Sequence, residues 1–586
     1  MSNGFIVYLN SLHNLSAGGS NALAESQALN PYFAELYEAP PISLTIEELL
    51  TNGEDRVIVL TGHAGDGKST IALDVLKRLR KLPLAEPLIQ PLLERETIID
   101  PLVHIVKDMS ELSAAQRQSW LREAFTQKGS WLIISNTGPL LQSLQDYGDT
   151  SAHGRLAESK ILDLLHIPLA PENTGCHTVR HFEKPLTIFN LTRIDNAALG
   201  AKILRNLVNH SGWASCEACS SSNACPINLN RNALHQAQNV VEDRVRWMYK
   251  RIGAYEKRLT IRQMVAQLAL SITGGSSCID EPPAREKPHR EISDGLENVL
   301  FSEIFFGNRG GVPWIEAESL EAIAVTRRTW FGGPVSVKLE REISITPGLG
   351  WANLPQALDN LENQWRARAA EASAVRWRSS LRRMAYIFGV AKDGRKDNSD
   401  AFLDGFLQSP MLRAYDLWQQ HGKPILTKQE NNLLRTSCLK VLLETYSGFS
   451  ASQFIKNDKL YITLRRPDQA VIQPTQLVIK KLDFREFEFD YRDGVPILTH
   501  RPSNAELQLT LPLLDFIQRR DQGELGTGLS PIHQARLDRF RAELLIDNGA
   551  YKNHDEIELL RASLNGEIDV HVLTLDKDSR TLELYS

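Results

Sequence analysis

The sequence predicts an α/β protein whose amino-terminal part is a parallel β-sheet, followed by a helical middle region and an α+β carboxyl-terminal domain. Over residues 1–275, short apolar runs alternate with helical stretches, which is the pattern of an α/β fold. The runs are mostly apolar on both faces, as expected for strands that helices cover on both sides. The candidate strands are Val57–Leu60, Val103–Val106, Trp131–Ser135 and Leu186–Asn190.

Changes in pattern predict three further segments. Gly274–Arg290 breaks any regular element, so residues 276–350 are expected to be a linker and connecting region. Residues 351–453 have a helical pattern, with one long helical stretch from Ala357 to Phe388. Strands return in residues 454–586, where Leu482–Asp490 alternates apolar and charged residues and a terminal hairpin is expected to turn at Asp576–Asp578.

Composition and charge exclude several classes of protein. The 586 residues carry 66 Lys and Arg against 71 Asp and Glu, a formal net charge of −5, so no global basic field points to nucleic acid. The first ten residues lack the pattern of a secretory signal, and no apolar run is long enough to cross a bilayer. Six cysteines are too few for a disulfide framework. We therefore expect a cytoplasmic protein without a membrane partner.

One glycine-rich loop predicts the chemistry. Residues 62–69, Gly-His-Ala-Gly-Asp-Gly-Lys-Ser, fit G-x-x-x-x-G-K-[ST] between a strand pattern and a helix pattern. In such a loop the backbone N–H groups point at a phosphate, Lys68 reaches the β- and γ-phosphates, and Ser69 ligates Mg²⁺. The motif predicts a P-loop nucleoside triphosphatase with an AAA-like (ASCE) sheet that binds ATP and Mg²⁺. The predicted nucleotide-binding residues are Gly62, His63, Ala64, Gly65, Asp66, Gly67, Lys68, Ser69 and Thr70.

Two later strands end in polar residues that phosphoryl transfer requires. Asp108 ends the second candidate strand and is the expected Walker B-type acid near Mg²⁺, with Glu111 as a candidate water-activating base. The alternative is that Asp108 only opens the next helix, with Ser110 or Ser113 as its N-cap. Asn136 follows the third strand and matches the polar sensor of AAA-like ATPases, although Asn136-Thr-Gly-Pro also fits a plain turn.

Two arginines are candidates for contacting the γ-phosphate. Arg193 follows the fourth candidate strand, and Arg262 stands at the start of a helix that resembles the lid helix of AAA-like proteins. Stabilising charge on the transferred phosphoryl group is a common role of arginine in such enzymes. The alternative for each residue is an ordinary solvated arginine.

Three cysteines within ten positions predict a metal site. Cys216 and Cys219 have the C-x-x-C spacing of two cysteines that bind one Zn²⁺, and Cys225 is a candidate third thiolate ligand. The fourth ligand stays open among His210, His235 and Cys176. We expect structural Zn²⁺ rather than redox chemistry, because no thioredoxin-like context surrounds the pair. The alternative is a set of unmetallated thiols that pack a loop.

A basic helix pattern is a candidate nucleic-acid surface. Its arginines could track a phosphate backbone and its tryptophans could stack on bases, but a solvated face or an acidic partner subunit explains the pattern as well. The residues concerned are Trp365, Arg366, Arg368, Arg376, Trp377, Arg378, Arg382 and Arg383, and a less specific second stretch contains Arg519, Arg520, Arg536, Arg539 and Arg541.

Three motifs together resemble one family. The loop is similar to the Gly-x-Ala-Gly-Asp-Gly-Lys-Ser/Thr variant of ATPases in bacterial anti-phage systems. The cysteine cluster followed by Pro-Ile and Asn230-Arg231, the late run Leu507–Leu545 and the chain length resemble DptF (also called DndF), the ATPase of phosphorothioation-dependent restriction systems. The resemblance implies an ATPase subunit that acts with DptG- and DptH-type partners on DNA lacking the phosphorothioate mark. It implies Gly62, Gly65, Gly67, Lys68 and Ser69 as phosphate-binding residues.

Several questions of function stay open at the level of sequence. No nuclease motif is visible, which fits a motor or switch whose cutting activity lies in a partner. The main alternative is a nucleotide-gated assembly switch of another defence system with little hydrolysis. A P-loop kinase is disfavoured because no acceptor-substrate motif is visible, and a homo-oligomer and direct contact with DNA both remain open.

Overall fold

The computed structural model of the chain describes residues 3–13, 30–36, 41–83, 86, 92–167, 169, 175–278, 293–345, 352–369, 375–391, 396–456, 458–464, 474–492, 494–524, 528–546, 556–576 and 579–585. These residues form two compact units, 1–406 and 407–586, each described here by itself. The sequence-predicted boundaries at residues 275, 350 and 453 remain predictions, and much of the predicted break at Gly274–Arg290 lies outside the described residues.

The first unit is built around a six-stranded sheet with the order β2-β3-β4-β1-β6-β5. Its four central strands run parallel, and the two edge strands are antiparallel to their neighbours. The strands are β1 (Val57–Thr61), β2 (Arg95–Ile98), β3 (Val103–Val106), β4 (Ser130–Ser135), β5 (Thr178–Val179) and β6 (Leu186–Asn190). The four predicted strands are thus confirmed as a mostly parallel α/β sheet, and the two edge strands were not predicted.

Alternate residues of β1 enter separate cores on the two faces of the sheet. Val57 and Val59 belong to one cluster of buried residues, and Ile58 and Leu60 belong to the other. This alternation is the period-two geometry of a strand, and it explains why every residue of β1 is apolar apart from its last. The helices that cover the sheet are α3 (Ile42–Thr51), α4 (Lys68–Leu79), α5 (Ala114–Thr126), α6 (Thr137–Thr150) and α7 (Glu158–His166).

The remaining elements of the first unit are mainly helical, and those from residue 352 onward belong to the helical middle region that the sequence predicts. The helices are α1 (Gly4–Ser11), α2 (Phe33–Leu36), α8 (Asn196–Asn209), α9 (Ala214–Glu217), α10 (Pro226–Gln236), α11 (Gln238–Tyr255), α12 (Ile261–Thr273), α13 (Ser293–Leu296), α14 (Phe301–Ile304), α15 (Glu321–Arg328), α16 (Val337–Ile345), α17 (Asp359–Ala369), α18 (Val375–Phe388) and α19 (Lys396–Leu407). Two short antiparallel pairs join them, β7 (Asn308–Arg309) with β8 (Val312–Pro313), and β9 (Ala352–Asn353) with β10 (Val390–Ala391).

The prediction of one long helical stretch from Ala357 to Phe388 is wrong. The structure has two helices there, α17 and α18, with residues 370–374 outside the described part. The two helices pack on each other, and the rings of Trp365 and Trp377 lie 6.0 Å apart between centroids. A helical periodicity does not distinguish one long helix from two shorter ones that bury the same kind of face.

The second unit combines helices with two antiparallel sheets, an α+β arrangement. The helices are α20 (Leu412–His421), α21 (Lys428–Ser447), α22 (Leu511–Asp521) and α23 (Pro531–Leu545). The strands are β11 (Lys459–Thr463), β12 (Thr475–Asp483), β13 (Phe487–Arg492), β14 (Val495–His500), β15 (Ala505–Gln508), β16 (Glu556–Ala562), β17 (Ile568–Asp576) and β18 (Thr581–Tyr585). The predicted terminal hairpin is present as β17 and β18, although residues 577–578 of its turn lie outside the described part.

Among the described residues, no helix is both long and apolar enough to span a membrane.

Candidate functional site

The glycine-rich loop lies at the carboxyl end of β1, directly before α4. Gly65 has φ +90° and Gly67 has φ +88°, a left-handed conformation that a residue with a side chain adopts only with strain. Gly67 is the N-cap of α4 and offers no side chain to the first turn of the helix. The first N–H groups of a helix have no intrahelical acceptor, so this end of α4 suits an anion.

Lys68 is buried among acceptors at the centre of the site. Its Nζ donates hydrogen bonds to the carbonyl oxygens of Gly62 at 3.0 Å and His63 at 2.9 Å, and to Oδ1 of Asn136 at 2.9 Å. Burial lowers the pKa of Lys68, the carboxylates of Asp108 and Asp66 oppose that shift, and the nearby charge of Arg262 adds to it. The structure therefore places Asp108 and Arg262 within electrostatic range of this ammonium group.

Asn136 reaches the site because β4 lies between β1 and β3 in the sheet. It is the N-cap of α6, yet its side chain makes no capping hydrogen bond and instead accepts from Lys68. Its backbone N–H donates to Oγ of Ser110 at 2.7 Å, which links the ends of β4 and β3. The side chain thus does more than form the plain turn that the sequence left open.

Asp108 both caps a turn and lies near Lys68. Its Oδ1 accepts a hydrogen bond of 2.8 Å from the Ser110 backbone N–H, and it is the N-cap of the 3₁₀ turn Met109–Glu111. The following helix, α5, has its own N-cap, Ser113, in a capping box with Gln116. Ser113 is thus the N-cap of that helix, as one alternative drawn from the sequence expected, and the role of Asp108 as a Walker B-type acid stays a prediction.

The other predicted loop residues sit around this centre. His63, Ala64 and Glu111 are exposed, whereas Ser69 and Thr70 are half-buried in the first turn of α4. The Ser69 side chain follows directly on Lys68, which is the position that the motif requires of a Mg²⁺ ligand.

Asp66 makes an ion pair that the sequence did not predict. Its buried carboxylate accepts hydrogen bonds from Nη1 of Arg258 at 2.8 and 2.9 Å, and from the His63 backbone N–H at 3.0 Å. Nη2 of Arg258 also donates to the carbonyl oxygen of Leu191 at 3.0 Å. One arginine thus ties the loop to the segment that follows β6. No sequence motif identifies Arg258 as the partner of Asp66, and the only signal in the sequence is its position just before α12.

The structure separates the two candidate arginines. The backbone N–H of Arg262 donates to the Gly65 carbonyl oxygen at 3.2 Å, so the start of α12 rests on the loop. A methyl group added at Gly65 would lie 3.1 Å from Cβ of Arg262, which shows how close the approach is. Arg193, by contrast, is exposed in the turn after β6, where its Nε donates at 3.5 Å to the Leu165 carbonyl oxygen.

The predicted zinc ligands are only partly together. Cys216 is buried, Cys225 is half-buried and Cys219 is exposed, all in one turn region, while Cys176 is exposed elsewhere in the chain. Across the described ranges, no group of three or more His, Cys, Asp or Glu side chains is arranged to hold a metal ion. His210 uses both ring nitrogens, because Nδ1 accepts from the Gly212 N–H at 2.8 Å and Nε2 donates to the Tyr32 carbonyl at 3.0 Å.

Several residues of the predicted basic surface are buried inside the protein. Arg382 and Arg383 are buried and pair with Glu340 and Glu303. Trp365 is fully buried and Trp377 is 9% exposed, so neither ring offers the predicted stacking platform. Amphipathic helix patterns often pack long arginine stems inward when a carboxylate is available to pair with them. In the rest of the first basic stretch, Arg366 pairs with Glu362, Arg368 pairs with Glu297, Arg376 lies over the ring of Trp377, and Arg378 is half-buried.

In the second basic stretch, Arg520 pairs with Glu444 and Arg539 pairs with Glu543. Arg541 donates a hydrogen bond to the Thr463 carbonyl oxygen.

Comparisons with known proteins add no relative: no family model matches the chain, and neither a curated protein nor a solved structure matches it.

Proposed function

We propose that the chain is a P-loop ATPase that binds ATP with Mg²⁺ at residues 62–70. The observation that carries the proposal is the convergence on Lys68 of groups from separate elements. Asn136 comes from the end of β4, Asp108 from the end of β3 and Arg262 from the start of α12. A glycine turn without such a function would have no reason to gather an amide, a carboxylate and an arginine around one buried lysine.

In the proposed complex, the phosphates replace the acceptors that Lys68 now contacts. The N–H groups of the loop and of the first turn of α4 surround the β-phosphate, and Lys68 bridges the β- and γ-phosphates. Ser69 and Asp108 would hold Mg²⁺, which would neutralise charge on the phosphates. The strand order β1-β4-β3 supports the AAA-like (ASCE) assignment, because it sets Asn136 between the loop and Asp108.

For hydrolysis, the site supplies positioning and charge rather than a covalent intermediate. Asn136 orients the attacking water, and Arg262 stabilises charge that develops on the γ-phosphoryl group. Glu111 stays the candidate base, although it is exposed on the 3₁₀ turn that Asp108 caps.

We further propose that this ATPase serves a bacterial DNA restriction complex that acts on DNA without a phosphorothioate mark. The support is the resemblance of the loop, the cysteine cluster and the late apolar run to DptF (DndF), with DptG- and DptH-type subunits as partners. The alternative is a nucleotide-gated assembly switch with little hydrolysis.

The first experiment measures ATP binding to the purified full-length chain with Mg²⁺, by calorimetry or a fluorescent analogue. Replacing Lys68 removes a charged donor worth about 1.5–3 kcal/mol, so Lys68→Ala should bind ATP about 10- to 100-fold more weakly. Lys128→Ala is the matched control, because Lys128 is exposed at the opposite end of the same sheet, just before β4. Equal affinity in Lys68→Ala and wild type would mean that the nucleotide does not bind at this loop.

The second experiment measures phosphate release with no DNA, with unmarked DNA and with phosphorothioated DNA, alone and with candidate partner subunits. Release that unmarked DNA stimulates more than marked DNA supports the restriction role. Phosphate release at the same rate with phosphorothioated and unmarked DNA would support ATPase activity but not the restriction role. Tight ATP binding without release under every condition favours the assembly switch.

A further inference from the structure

Four cysteine side chains from two separate segments gather near the amino-terminal helix α1. Three of them, Cys216, Cys219 and Cys225, come from the turn region between α8 and α10. The fourth, Cys278, follows α12. The thiol of Cys216 lies within electrostatic range of the other three.

Asn3 links the two segments through hydrogen bonds to sulfur. Its side-chain Nδ2 donates to Sγ of Cys216 at 3.1 Å, and its backbone N–H donates to Sγ of Cys278 at 3.5 Å. Asn3 is itself buried, and its Oδ1 caps α1 by accepting from the Phe5 N–H at 2.8 Å. N–H donors aimed at two sulfurs stabilise those sulfurs as thiolates, the form that binds metal.

A positive charge also faces the group. The guanidinium of Arg231 on α10 lies within electrostatic range of Cys216 and 3.9 Å from the carboxylate of Glu217. A tetrathiolate zinc site carries a formal charge of −2, so a nearby guanidinium offsets part of it. His210, in contrast, has no free ring nitrogen to offer, since Gly212 and Tyr32 engage both.

We propose that Cys216, Cys219, Cys225 and Cys278 bind one structural Zn²⁺ as a tetrahedral Cys₄ site. Four thiols bind one Zn²⁺ and release four protons, which leaves a complex of charge −2 and changes no oxidation state. The cysteine side chains are not arranged around one point in the described part of the structure, so zinc binding requires them to rotate. Cys219 is exposed, and Cys225 and Cys278 are half-buried. The site would fasten the segment after α12 to the α9–α10 turn.

The test measures zinc in the full-length protein purified without added chelator. We expect about one equivalent in wild type. Cys278→Ser should lose most of it, whereas Cys176→Ser, at an exposed cysteine outside the group, should keep it. Because a zinc-free variant can misfold, cobalt is then titrated into metal-stripped wild type: a tetrahedral tetrathiolate spectrum is expected, and a folded Cys278→Ser chain should show a weaker sulfur-to-cobalt transition.

Two results would overturn the proposal. The first is less than about a tenth of an equivalent of zinc in wild type together with no thiolate spectrum on adding cobalt, as would be seen if the cysteines formed disulfides or stayed free. The second is full zinc in Cys278→Ser with an unchanged cobalt spectrum, which would remove Cys278 from the site. Neither result depends on ATP binding, so this inference and the proposed function fail or stand separately.

Discussion

Arg258 holds the carboxylate of Asp66 through both oxygens, with Nη1 2.8 Å from Oδ1 and 2.9 Å from Oδ2. The Asp66 side chain is fully buried, and that of Arg258 is 26% exposed. The same carboxylate accepts the His63 backbone N–H, so this ion pair fixes the curve of the glycine-rich loop from outside. The aspartate of the Gly-Asp-Gly-Lys segment is therefore engaged in holding the shape of the loop.

The first prediction concerns this ion pair. Arg258→Ala should lower the free energy of unfolding by about 3 kcal/mol, because it leaves a buried carboxylate without its partner. ATP affinity should fall as well, since the loop loses its support. Urea denaturation and ATP titration provide the two measurements.

A double-mutant cycle supplies the control for the pair. Asp66→Asn removes the charge but keeps an oxygen that accepts from His63, so the Asp66→Asn/Arg258→Ala protein should be more stable than Arg258→Ala alone. Additive losses in the double variant would show that the two side chains do not stabilise each other.

The second prediction separates the two roles of Asp108. Asp108→Asn keeps an oxygen for the Ser110 N–H and therefore keeps the cap, but it removes the negative charge near Lys68. We expect nearly unchanged stability and a loss of about 100-fold in phosphate release, with a higher Mg²⁺ requirement. Normal turnover and Mg²⁺ dependence in this variant would reduce Asp108 to a capping residue.

The third prediction compares the two arginines. Arg262→Ala should slow phosphate release at least about tenfold, because Arg262 stands beside the loop and an arginine in this role stabilises transition-state charge. Arg193→Ala is the matched control and should release phosphate at the wild-type rate. Single-turnover measurements on both variants test the difference, and the reverse outcome would assign the role to Arg193.

The fourth prediction concerns pH and the sheet. His104 on β3 is buried beside Trp131, and burial together with the charges of Arg95 and Lys184 lowers its pKa. The unfolded chain, with an ordinary histidine pKa of about 6.5, therefore takes up this proton first on acidification. The His104 contribution to stability is present above about pH 6.5 and is lost as the pH falls below it.

Denaturation about one pH unit above and one below 6.5 measures this effect. Wild type should lose more stability on acidification than His104→Gln, which cannot be protonated. His153→Gln, at an exposed histidine, should behave as wild type does. An equal pH dependence in His104→Gln and wild type would show that other groups cause it.

The sequence predicted local structure correctly where a sequence pattern is compatible with only one kind of element. Apolar runs predicted β1, β3, β4 and β6, because a strand that is buried on both faces consists almost entirely of apolar residues. The tight loop between β1 and α4 was predictable because its left-handed backbone requires glycine at positions such as 65 and 67. The nucleotide-binding roles of Lys68 and Ser69 stay predictions. The same local logic fails for Ala357–Phe388, because the helical periodicity of two packed helices does not differ from that of one long helix.

Contacts between distant segments were decided by the tertiary structure. The sheet order alone brings Asn136 and Asp108 to Lys68, and the packing of the region before α12 pairs Arg258 with Asp66. Cys278 joins Cys216 in the same way, across a separation that no spacing rule covers. Likewise, burial turned arginines expected on a surface into internal ion pairs. A sequence determines which local geometry each segment prefers, whereas charge pairing between segments depends on which faces the folded core brings together.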